Sequence, residues 1–238
     1  MRRPGGPVPL VLTLGVLGAS NVLSNRLLPG AAVLVGVVTA AACLALARSD
    51  GASWADLGLG PGTFRRGLRW AATAALVVAG VYTLGVALPF TREAFLDRRA
   101  DLPTSTLLYH ALVRVPLGTV LVEEVGFRGA LLAMGLRRWG HRTGVLVSSG
   151  LFGLWHLLPA SGVRLANPAV AELFGGGSVA SGFWTALAVV GAAFAGIVLC
   201  ELRLRSGSLL APMGLHWATN GLAYLAADLA RGITARAG

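Results

Sequence analysis

Lysine is absent from this chain of 238 residues, so all twenty basic residues are arginine. Charge of either sign is scarce: Asp, Glu and Arg make up 13% of the chain, with only 10 acidic residues. Soluble domains carry about 25% charged residues, so a water-solvated globular domain is excluded. There are only two cysteines, Cys43 and Cys200, far apart and each in an apolar run. That excludes a disulfide framework and reads as two small core hydrophobes. No repeat of solenoid length recurs. Short alternating segments, the mark of a membrane β-barrel, are also missing. The net charge of +10 does not make a nucleic-acid protein, because the arginines are scattered rather than gathered on one face.

What the chain has is hydrophobic residue, 55% of the total, in runs long enough to cross a bilayer at about 20 residues each. The fold class this implies is all-α, a polytopic transmembrane helical bundle. Spans are expected near 8–24, 30–47, 68–90, 104–136, 143–158, 179–202 and 208–228. The fourth is too long for one crossing, and Pro116 inside it removes a backbone hydrogen bond. Residues 1–20 resemble a signal peptide, but the first run is long enough to stay as a span. The segment around Trp54 reads as interfacial. Residues 91–103, with Phe95 and Leu96 among charges, read as an external amphipathic helix or loop. Residues 159–178, with Pro168 and Gly175-Gly176-Gly177, read as an external loop.

Arg48, Arg65, Arg66, Arg69, Arg137, Arg138, Arg142, Arg203 and Arg205 fall, with Arg2 and Arg3, at one end of these spans. Arg26, Arg92, Arg98, Arg99, Arg164, Arg231 and Arg236 fall at the other. The positive-inside rule then puts the N-terminus in the cytoplasm and the C-terminus outside. Arg-for-Lys usage with abundant Ala and Gly points to a GC-rich bacterial genome, hence to a bacterial plasma membrane.

Carboxylates are expensive in lipid and persist there facing protein or a wet cavity. The run Glu123-Glu124-Val125-Gly126-Phe127-Arg128 is therefore the first place to look for chemistry. Residues four apart share a helix face, so Glu124 pairs with Arg128. Glu123 points about 100° away and is left free to act as a base. Two further groups follow: His156, ending Phe152-Gly153-Leu154-Trp155-His156, and His216 with Asn220, again four apart. If spans four and five form a hairpin turning within Arg137–Arg142, Glu123 and His156 each lie ~24 Å from the turn at ~1.5 Å per residue and can face each other. Trp155 and Trp217 are candidates to line that cavity. Plainer roles are expected elsewhere. Arg114 and His110 would pair or snorkel. Glu201 would pair with Arg203 or Arg205, and Asp228 with Arg231. His141 would sit in a turn and Glu172 in a loop.

On these residues the chain resembles the CPBP intramembrane protease family, the type II CAAX prenyl endopeptidases and the bacterial Abi-type, bacteriocin-processing homologues. Glu-Glu-x-x-x-Arg, Phe-x-x-x-His and His-x-x-x-Asn occur in order over roughly 105–225. The resemblance implies N-terminal transmembrane helices and interfacial segments over 1–103 and a protease core over 104–230. It implies catalytic Glu123 and His156 activating a water, with His216 and Asn220 as oxyanion pocket and Glu124 and Arg128 as braces. The mechanism it implies is glutamate-dependent and needs no cofactor. The alternative is a divalent metal such as zinc on Glu123, His156 and His216, with one position left open. No serine, threonine or cysteine stands in these motifs as a nucleophile. The partners implied are membrane lipid and a peptide or protein substrate, lipid-modified ones included, and no nucleic acid. The competing classes are a non-enzymatic membrane scaffold or immunity protein and a proton-coupled transporter, since intramembrane Glu and His also make proton relays.

Overall fold

The computed structural model describes residues 6–160 and 178–237. Arg2, Arg3, Arg164, Pro168, Glu172 and Gly175–Gly177 lie outside the described residues. The described chain is helical with connecting turns. The bundle begins directly after Pro7, which suits a helix start, with α1 over Val8–Val22. A wide turn at Leu23–Leu27 and a 3₁₀ turn at Pro29–Ala31 lead into α2, Ala32–Ser49. Helix α3 covers Phe64–Ala87 and stops at Leu88, held extended (ψ 122°) in front of Pro89, as a residue before proline prefers.

A continuous helical stretch then runs through Thr104–Ala160. It is two helices, because Gly140 adopts φ 76°, a conformation that favours glycine. We label them α4, 104–139, and α5, 141–155. Helices α6 (Ser178–Ser206) and α7 (Leu210–Ala237) complete the bundle.

Among the described residues five stretches are long and apolar enough to span a membrane: Val8–Leu27, Pro29–Ser49, Phe64–Ala87, Thr104–Ala160 and Ser181–Ser206. The fourth, at 57 residues, holds both limbs of the α4–α5 hairpin. Helix α7 is not among them; it carries Asp228, Arg231 and Arg236. Large apolar side chains such as Leu76, Val77, Val81 and Leu84 stand outward and more than half exposed. Such a surface matches a lipid solvent. The protein is a multi-pass helical membrane protein.

Small residues set the crossings. A Cβ on Gly36 of α2 would meet the Leu117 carbonyl of α4, and one on Gly118 would meet the backbone of Ala32. Two backbones thus touch just ahead of the paired glutamates, the kind of approach small residues permit in membranes. At the arginine-dense end, buried Asp50 after α2 forms ion pairs with Arg138 and, at 3.9 Å, Arg137. Arg203 at the end of α6 donates to the Ala55 and Asp56 carbonyls at 3.2 and 2.7 Å. Glu201 instead takes Arg205, at 3.3 Å. Several of the arginines counted above as topological markers are also clamps between helix ends.

Residues 88–103 are not a free external appendage. A one-turn helix, Pro89–Arg92, and 3₁₀ turns at Glu93–Phe95 and Arg98–Ala100 fold back over the bundle. Phe95 packs edge-on against Tyr82, ring centroids 5.4 Å apart. Arg231 of α7 donates to the Asp97 and Ala100 carbonyls and pairs with Asp228 at 3.2 Å.

Candidate functional site

The backbone of α4 is wound wide around the glutamates. The N–H of Val115 bonds the His110 carbonyl, that of Leu121 the Pro116 carbonyl, and that of Leu132 the Phe127 carbonyl. These five-residue steps bracket Leu121–Glu123. Pro116 explains part of this, since it has no N–H to give. Wide turns of this kind occur often at functional sites. More residues per turn also means a smaller angle between neighbours, so Glu123 and Glu124 both reach the same histidine of α7.

That histidine is His216. Its Nδ1–H donates to Glu124 Oε1 at 2.7 Å, and its Nε2 lies 3.7 Å from Glu123 Oε2. Glu124 Oε1 also accepts from Arg128 Nη1 at 3.1 Å, with both side chains fully buried. The Arg128 guanidinium lies 3.8 Å from the Phe152 ring centre, a stacked cation. Glu124, Arg128 and His216 form one buried chain of charge-assisted hydrogen bonds, which are the stronger kind.

Glu123 is differently placed. One oxygen, Oε1, accepts the indole N–H of Trp155 at 3.0 Å. The other, Oε2, has no hydrogen-bond partner among the described residues. Trp155 is itself held, its carbonyl accepting from Asn21 Nδ2 of α1 at 2.8 Å and its ring packing edge-on to Phe127 at 5.5 Å. His156 Nδ1–H donates to the Phe152 carbonyl at 2.8 Å. A carbonyl only accepts, so the remaining nitrogen, Nε2, is left to take or deliver a proton.

Glu123, Trp155, His156 and Asn220 line one cavity of about 500 Å³. Thr119 and Asn25 add polar groups, while Phe95, Asp97 and Arg99 close it from the folded-back segment. The hairpin therefore brings Glu123 and His156 to one space. His216 does not line it and stands behind Glu123. The two residues expected to act together as an oxyanion pocket are thus divided, Asn220 on the cavity wall and His216 in the support. The cavity draws on the second ends of α1, α3 and α5 and the first half of α4. It therefore sits at the pole away from Arg137, Arg138 and Arg203.

The three residues weighed as zinc ligands do not converge as a set. Among the described residues no three His, Cys, Asp or Glu side chains stand as a metal site. His156 and His216 each donate Nδ1–H to a protein acceptor and leave Nε2 open, a bonding pattern that metal-ligating histidines also have. Arg114, expected to pair or snorkel, meets no carboxylate or carbonyl partner among the described residues. Trp217 bonds the Ala111 carbonyl at 2.9 Å and is a packing residue. Cys43 and Cys200 are buried and unbridged. Sequence reasoning missed Asn21 and the cap formed by residues 93–100. The signal for Asn21 was a carboxamide within an apolar helix; the cap left none, because its partners are distant in sequence.

Outside the folded-back segment, the site is built from membrane-embedded groups. Within that segment, burial would raise the Asp97 carboxyl, but the hydrogen bonds and charge of Arg99, with the charge of Arg231, outweigh it and hold it below the usual range.

Comparison with known protein families gives a match. Residues 105–222 fit the family model described as type II CAAX prenyl endopeptidase Rce1-like. No curated protein and no solved structure matches the chain.

Proposed function

The chain belongs to the Rce1-like family of type II CAAX prenyl endopeptidases, and on that footing we propose that it is an intramembrane endopeptidase working through Glu123. The observation carrying this reading is Glu123 on the wall of a cavity shared with His156 and Asn220, its Oε2 without a hydrogen bond among the described residues and 3.7 Å from His216 Nε2. In the proposed reaction the Glu123 carboxylate takes a proton from a water while the water oxygen attacks the scissile carbonyl. His156 Nε2 holds that water and shares its proton. The Asn220 carboxamide N–H donates to the oxyanion as it develops, an effect worth ~10²–10³-fold in rate elsewhere. When the C–N bond breaks, the proton held by Glu123 passes to the leaving nitrogen. Glu124, Arg128 and His216 act from behind: they hold the second carboxylate neutralised and keep Glu123 facing the cavity.

No cofactor enters this scheme, and zinc on Glu123, His156 and His216 is the alternative that chelation tests. The substrates are membrane-associated peptides or proteins, lipid-modified ones included. By the positive-inside rule the cavity opens toward the extracytoplasmic half of a bacterial plasma membrane.

Glu123→Ala should leave a folded, membrane-inserted protein without cleavage. The measurement is the membrane peptidome of a deletion strain rescued with the parent or with Glu123→Ala. The same variant pair, purified, should show cleavage by the parent that survives chelation with EDTA. Equal processing by both proteins removes Glu123 from the chemistry. Cleavage lost on chelation and restored by zinc returns the site to a metal.

A further inference from the structure

A second space of about 500 Å³ adjoins the first, sharing Ala32, Arg99, Arg114 and Tyr224 as common wall. Its own lining adds Tyr109 and His110. Two arginines face it, and they are not equivalent. Arg99 is matched by Asp97, which it holds through several hydrogen bonds, one at 2.6 Å. Arg114 has no ion pair or hydrogen bond among the described residues, although it is half-buried on a membrane-spanning helix. Nor is it alone in lacking a partner. His110 Nδ1, one turn away, is buried without a hydrogen bond. The rings of His110 and Tyr224 meet edge-on at 5.5 Å, which holds an imidazole and a phenol beside the guanidinium.

An unmatched cation inside a membrane protein calls for an anion, and a planar guanidinium best fits a carboxylate or a phosphate. The position decides between them. Arg114 lies nine residues (123 − 114) before Glu123 on the same helix, at most ~13.5 Å at ~1.5 Å per residue. An extended peptide covers that length with about four residues at ~3.3 Å each. A chain lying through both spaces with its scissile bond at Glu123 brings its own C-terminus to Arg114. We infer that Arg114, with His110 and Tyr224, binds the C-terminal carboxylate of the substrate and so measures the distance from chain end to cleavage point. This rests on the endopeptidase reading above and adds to it a specificity-determining residue.

The test uses full-length Glu123→Gln protein in nanodiscs of phosphatidylcholine with a minor share of phosphatidylglycerol, so that binding is read without turnover. The probes are dansyl peptides anchored by an S-farnesyl cysteine, with one to six residues after it, each made as free acid and as amide. The acid should bind about 10- to 100-fold more tightly than the amide, as a charge-assisted hydrogen bond warrants. The preference should be greatest for tails of about three or four residues and should vanish in Glu123→Gln/Arg114→Gln. Equal binding of acid and amide, no binding of either, or a preference that survives Arg114→Gln overturns the inference. So does loss of bound phosphatidylglycerol in Arg114→Gln without any acid preference, which would give the site to a lipid headgroup. If that double variant does not fold, a diazirine on the last residue of the acid probe replaces it. Crosslinks at 110–114 or Tyr224 are expected, and crosslinks confined elsewhere overturn the inference. Cleavage by the unsubstituted protein separates the two readings. Equal cleavage of acid and amide keeps the peptidase and removes the carboxylate site. Tight acid binding with no cleavage does the reverse.

Discussion

Trp155 gives Glu123 its one hydrogen bond among the described residues, and in the proposed mechanism that bond orients the carboxylate. The indole cannot drift, because Asn21 holds the Trp155 carbonyl and Phe127 packs against its ring. Trp155→Phe keeps the aromatic packing and deletes only the donor. A hydrogen bond to a charged group contributes ~1.5–3 kcal/mol to stability, so the melting temperature should fall, and loss of the orientation should lower kcat about 10-fold or more with KM nearly unchanged. Steady-state kinetics with a thermal melt check this, and an unaltered kcat would mean that Glu123 needs no such orientation. The split between the glutamates also belongs to this scale. Glu124 spends one oxygen on both Arg128 and His216, which makes it a buried counter-ion. Removing one member of such a network strands the others and is strongly destabilising.

Among the helices, the crossing of α2 on α4 is a tight constraint near the site. Gly36 faces the Leu117 carbonyl with no room for a side chain, whereas Gly80 on α3 has nothing within 4 Å of an added Cβ. Gly36→Leu should therefore overpack the crossing at a cost of ~1–3 kcal/mol, lower the melting temperature in detergent and reduce cleavage. Gly80→Leu should leave both unchanged. Equal melting temperatures for the two variants would show that the crossing tolerates separation. The wide turns of α4 have the same consequence for function: they let adjacent residues serve one histidine, which a regular helix would present at ~100° to each other.

Across the whole molecule the two poles are built differently. One is clamped by Asp50 and Arg203 among helix ends, and the other is covered by the segment carrying Asp97, Arg99 and Ala100. Asp97 ties that cover together through Arg99 and Arg231. Its carboxyl is held below its ordinary value, so its folded-state pKa lies under the unfolded one at ~3.9. The stability it contributes is therefore complete above that value and is lost as pH falls through the lower, folded value. Partly exposed pairs contribute at most ~1 kcal/mol, so Asp97→Asn should melt roughly 1–3 °C lower at pH 7. The gap should close as pH drops below about 4. Melting curves from pH 3 to 7 test it, and a gap that stays constant across them would show that the pair contributes nothing.

Much was legible in the residue order because it depends only on local chain geometry and on solvent. A chain this apolar and this poor in charge has to fold against lipid. Residues four apart on a helix have to share a face, which places Arg128 on Glu124. An antiparallel hairpin brings equidistant residues level, which places His156 beside the same cavity as Glu123. The remaining features required the tertiary packing. His216 lies behind Glu123 because α7 leans on α3, where Tyr82 donates to the Thr219 carbonyl at 2.8 Å. Asn21 reaches Trp155 across 134 positions of sequence. Arg114 has no ion pair or hydrogen bond among the described residues, whereas Arg99 of the cover is matched by Asp97. These outcomes turn on backbones approaching at small residues and on wide helical turns. Neither leaves a periodic trace in sequence, since both follow from which surfaces meet rather than from what each segment prefers alone.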